Sequence, residues 1–133
     1  MKTPKIQHNS EASEYFFDEG CFINEWWNRP EDEALSIARA RVVPGETTHW
    51  HRLHNSVERY VILSGEGVVE VGELAPTTVK PGDVVVIPAG VRQRIRNSGS
   101  EDLVFLALCT PRFQAENYVD LEDEREGDLA ENA

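Results

Sequence analysis

From Gly45 to Gly65 the chain reads G-E-T-T-H-W-H-R-L-H-N-S-V-E-R-Y-V-I-L-S-G. His49, His51, His54 and Glu58 fall within ten positions, and only His8 among the four histidines lies elsewhere. Imidazole nitrogen together with carboxylate oxygen is the donor set that suits zinc or a non-haem iron, manganese or nickel ion. His49 and His51 are two apart, so on one strand their side chains share a face, with Cα atoms roughly 6.5 Å apart. His54 joins that face only if the chain turns at His54-Asn55-Ser56, a composition that favours turning. Glu58 opens the β-rich run Glu-Arg-Tyr-Val-Ile-Leu, expected as the returning strand, on which Glu58, Tyr60 and Ile62 share a face.

Outward from this stretch, period-two patterns separated by Gly and Pro predict an all-β chain. Ala38, Ala40 and Val42 alternate with Arg39 and Arg41 before the stop at Pro44-Gly45. Gly65-Glu66-Gly67 is a turn, and Val68 to Gly72 is the next strand. Val84 to Ile87 is apolar on both faces and is expected to lie between layers. Gln93, Ile95 and Asn97 face opposite to Arg92, Arg94 and Arg96, and Leu103 to Cys109 is the last core strand. The arginine row is expected to be a solvated stripe or to meet acidic groups of a partner. Short strands with turns at intervals of about eight to twelve residues make a sandwich or barrel.

The chain has 133 residues, 24 acidic against 13 basic, for a net charge of -11. Such a balance excludes nucleic acid and an anionic membrane surface as partners. With no long apolar run and no apolar leader, the expected setting is the cytoplasm, where Cys21 and Cys109 are buried thiols. One domain is expected: residues 1–33 as an extension, 34–113 as the barrel and 114–133 as an acidic tail, solvated from Asp120 onward. The extension is rich in aromatic residues from Tyr15 to Trp27 and must pack on the barrel or on a second subunit. That clustering predicts a homodimer.

Two blocks, Gly45-x5-His51 with Glu58-x6-Gly65, and Gly82-x5-Pro88-x-Gly90-x2-Gln93-x3-Asn97, resemble the two motifs of the cupin superfamily. The resemblance covers residues 36 to 109. It implies a single-domain double-stranded β-helix, or jelly roll, with a divalent transition metal (Fe, Mn, Ni or Zn) held inside. Carried over, His51 matches the first histidine, Glu58 the glutamate and Gln93 the last histidine. The second histidine falls on Leu53, so the chain departs from the family pattern at two of four ligand positions. His49, or His54 on a bulged strand, would replace the missing nitrogen, with Gln93 as a neutral fourth ligand.

The family resemblance implies either of two functions. One is a metal-dependent enzyme on a small organic molecule, a dioxygenase, isomerase or lyase, in which Glu58 balances the ion's charge and Tyr60 and Gln93 orient the substrate. The other is a metal-free cupin that binds a small ligand without catalysis, as a sensor does, with His51, Glu58 and Gln93 joined as a hydrogen-bonded cluster.

Overall fold

The computed structural model describes residues 3–122. Alternating burial writes out eleven strands among the described residues. The first six are β1 (Tyr15–Phe17), β2 (Cys21–Trp27), β3 (Ser36–Val42), β4 (His51–Leu53), β5 (Val57–Ser64) and β6 (Gly67–Val71). The rest are β7 (Thr77–Val79), β8 (Val84–Ile87), β9 (Gln93–Asn97), β10 (Leu103–Thr110) and β11 (Tyr118–Asp120). They form a six-stranded sheet, ordered β1-β2-β3-β10-β5-β8, and a five-stranded sheet, ordered β11-β4-β9-β6-β7. Every pairing is antiparallel, and the two layers face each other across a core, as a jelly roll requires.

The core follows the alternation. Ala40 and Val42 of β3, Tyr60 and Ile62 of β5, and Leu103 and Phe105 of β10 come from one sheet, while Val69, Val71 and Ile95 come from the other. Arg39 and Arg41 turn to the outer face, where both bond Glu14. The arginine row of β9 behaves in the same way within this chain: Arg94 pairs with Glu70 at 3.0 Å and stacks over Trp50 together with Arg92.

Two expectations change. The run Val84 to Ile87 is the terminal strand of its sheet, so only Val85 and Ile87 are buried, and Val84 and Val86 remain more than half exposed. An all-apolar strand is ambiguous between a central and an edge position, and hydrogen-bonding order decides between them. The expected tail from residue 114 instead returns to the fold, because Tyr118–Asp120 pairs with β4 in the register Tyr118↔Leu53, Val119↔Arg52, Asp120↔His51. The rest of the acidic segment, residues 123–133, lies outside the described residues. The aromatic extension supplies β1 and β2, which lengthen the six-stranded sheet beside β3.

Gly65 closes the central stretch at φ +83°, and a Cβ there would stand 2.6 Å from the carbonyl oxygen of Asp102 and 2.9 Å from Leu103 Cα. Backbone blocks the space and the dihedral disfavours any side chain. Gly65→Ala is therefore expected to lose about 2–4 kcal/mol of stability. Gly82→Ala, at φ +94° with nothing within 4 Å, isolates the dihedral part and should lose only about 1–2 kcal/mol. Equal urea midpoints for the two variants would refute the close approach.

Candidate functional site

β4 and β5 bring His51 and Glu58 into the interior, and β9 brings Gln93 beside them through the direct pairing His51↔Gln93. All three are buried, with Gln93 fully so. The Gln93 amide connects the group. Its Nε2 donates to Glu58 Oε1 at 2.6 Å, and its Oε1 accepts from the Tyr60 hydroxyl. Among the described residues Glu58 Oε2 has only the Cys109 thiol, at 3.8 Å. Burial pushes the Glu58 carboxyl above its ordinary value, opposed by His51 and by the Gln93 hydrogen bond. Burial likewise pushes the Tyr60 phenol well up, with the Glu58 charge adding to it.

His51 Nδ1 lies 2.7 Å from the His49 carbonyl oxygen. A carbonyl only accepts, so Nδ1 carries a proton and Nε2 is left facing the interior. There it meets Glu19 Oε2 at 3.6 Å. The His51 ring also stacks on Tyr118, with centroids 5.1 Å apart.

Glu19 and Tyr118 are site residues that motif reading does not find. Glu19 sits in the turn between β1 and β2, anchored by its carbonyl oxygen accepting from the His49 amide at 2.7 Å. Its Oε1 accepts from the Cys21 thiol at 3.0 Å. Tyr118 comes from β11; burial first, then the Glu19 carboxylate, pushes its phenol up. Both lie outside the two motif blocks, so no spacing rule points to them. The available signal was weak: a carboxylate at a glycine turn inside an aromatic segment, and a tyrosine ahead of the acidic run.

Glu19, His51, Glu58, Tyr60 and Tyr118 line a cavity between the sheets, walled by Phe17, Ile23, Leu53, Phe105 and Phe113 and opening past Tyr15 and Glu25. About 80 Å³ of it is open to the centres of water-sized molecules, which is room for about five to eight waters. A small organic molecule fits such a space.

His49 and His54, the two residues expected to replace the missing ligand, are not brought to it. β4 begins only at His51, so His49 is not on a regular strand with it. The His49 ring turns instead to Asp120, Nδ1 to Oδ2 3.0 Å, and to Glu122, Nε2 to Oε2 3.8 Å. The Asp120 hydrogen bond is the main reason its imidazole is held above the ordinary value. His54 does precede a turn, with Asn55 at φ +64°, but its side chain is exposed and its amide donates to the Asn117 carbonyl at 2.8 Å.

The residues present do not make up a metal site. Leu53 occupies the position of one family ligand, and the Gln93 amide is engaged at both ends. Among the described residues no group of three His, Cys, Asp or Glu side chains is arranged to hold an ion.

With fold and site described, the comparisons agree on the class. The cupin domain model matches residues 38–109, and the chain belongs to the cupin family. It is 33% identical over 124 residues to an uncharacterized protein of Methanocaldococcus jannaschii, covering 92% of this chain and 98% of that one. It is 37% identical over 78 residues to the oxalate-binding protein of Thermotoga maritima, covering 58% of this chain and 63% of that relative's length. The crystal structure of a predicted oxalate decarboxylase from the same organism superposes with a TM-score of 0.71 at 25% identity, over 80% of this chain and 99% of that one.

Proposed function

We propose that this cupin binds a small organic molecule in its interior cavity without a metal ion, with His51 and Glu58 as the groups that exchange protons with it. The observation that carries this is the Gln93 amide. It ties Glu58 to Tyr60 in the place where the family pattern has a ligand, so the amide is satisfied at both ends without a cation. His51 Nε2 and Glu58 Oε2 are the two interior atoms left with weak partners. An imidazole beside a carboxyl of raised pKa is a pair suited to general acid–base chemistry, which favours isomerisation or elimination over oxygen chemistry. Tyr60 acts as a positioning residue, since its hydroxyl is committed to Gln93. The two free buried thiols support a cytoplasmic setting, and among the described residues no helix is long and apolar enough to cross a membrane.

The names of the Thermotoga maritima relatives favour a second reading, a dicarboxylate held through a divalent ion. One experiment separates the two. Protein purified without a metal-affinity column and treated with chelator is screened with small organic compounds while the His51 side-chain resonances are followed by NMR. The expected result is sub-stoichiometric metal and compounds that shift His51 in the chelated protein, with the shifts lost in His51→Ala. Stoichiometric metal that disappears in Glu58→Gln would overturn the proposal in favour of the second reading.

A further inference from the structure

The walls of the cavity define the charge of its occupant. Among the described residues three carboxyl groups line it, Glu19 and Glu58 inside and Glu25 at the mouth, and neither lysine nor arginine does. The nearest arginines of β3 are turned to the outer face and bonded to Glu14. An anion such as oxalate would enter against like charge in a site of low dielectric. The rest of the wall joins six aromatic residues, Tyr15, Phe17, Tyr60, Phe105, Phe113 and Tyr118, to aliphatic and small ones such as Ile23, Leu53 and Ala40. Rings around a carboxylate are the arrangement that holds ammonium groups, since the π faces attract cations and the carboxylate supplies the countercharge.

One of these rings meets the inner carboxylate directly. The buried Tyr118 hydroxyl lines the cavity next to the Glu19 carboxylate.

We propose that the cavity takes a small organic cation, an amine or quaternary ammonium compound with about five to eight heavy atoms, with Glu19 as its countercharge and the aromatic rings as its walls. The proposal rests on the cavity being the ligand site. It makes Glu19, delivered from outside the cupin motifs, the residue that sets specificity, and Glu25 the charge that draws cations to the mouth.

The test uses choline and its neutral isostere 3,3-dimethylbutan-1-ol, which have the same shape and hydroxyl, with oxalate as the anionic probe. Binding to the full chain is measured by calorimetry, together with the His51 NMR shift. Choline is expected to bind about tenfold or more tighter than the alcohol, and oxalate more weakly than either. Glu19→Gln should bring choline to the affinity of the alcohol. Glu25→Gln, at an exposed position that does not threaten folding, should weaken choline about twofold through lost steering and screened attraction. Equal affinities for choline and the alcohol in the parent protein, or tighter oxalate binding, would overturn the cation assignment and leave the cavity as the ligand site. Failure of all three probes to shift His51 would overturn both.

Discussion

Replacing Gln93 with leucine is expected to cost about 3–5 kcal/mol of folding stability, the largest loss from any single change at the site. Gln93 is fully buried and its two polar ends hold two other buried groups, Glu58 through Nε2 and Tyr60 through Oε1. Leucine fills much of the same volume but leaves the carboxyl and the phenol without partners, and an unpaired buried charge costs far more than a lost surface pair. The loss should depend on pH. Glu58 already has a raised carboxyl pKa because of burial, and Gln93 is one of the interactions that lower it. A carboxyl whose folded-state value is raised binds its proton more tightly in the folded chain, so its contribution to stability falls as pH rises from the ordinary value of 4.5 through the raised one. Removing Gln93 widens that window upward. Chemical denaturation of Gln93→Leu at pH 5 and pH 8 should show the greater loss at pH 8. A loss that is the same at both values would mean that Glu58 is not the group left unpaired.

Restoring the family's imidazoles at positions 53 and 93 should create a metal site. Leu53 is buried, two residues from His51 on β4, and lines the cavity, while Gln93 lies directly across from His51 on β9. In the Leu53→His, Gln93→His double variant, three imidazoles and Glu58 would converge, a donor set that zinc or manganese accepts. Affinity for zinc is expected to rise at least about a hundredfold over the parent. The empty variant should be less stable, since Glu58 loses its amide partner. Ion at about a hundred times the dissociation constant would return about 2.7 kcal/mol. Melting curves with and without zinc read the gain directly. A folded double variant whose melting temperature ignores zinc would show that positions 51, 53, 58 and 93 do not face one point.

The parts of the fold legible in advance were those encoded over a few residues. The alternation in Ser36–Val42 and Gln93–Asn97 placed the correct faces inward, because a strand's side-chain period is two whatever surrounds it. The Gly and Pro turns set the boundaries of the central strands for a similarly local reason. The run Val84 to Ile87 misled because an edge strand and a central strand can carry the same residues. His49 misled because its face was read from two-residue spacing on a strand that begins only at His51. Tyr118–Asp120 was hidden within an acidic composition, and its pairing with β4 is a contact across more than sixty positions that no local pattern announces.

Composition and spacing by themselves determined an all-β chain of short strands; the cupin barrel, the shared interior of His51, Glu58 and Gln93 and the departure at two ligand positions are what the resemblance of its two motif blocks to the family implies. Only the tertiary structure decided what the interior is made of. It turned His49 out to Asp120, brought Glu19 in from the first turn and Tyr118 from the last strand, and engaged Gln93 between Glu58 and Tyr60. Such long-range placements depend on which backbones come to lie side by side, and sheet order settles that only when the whole core closes.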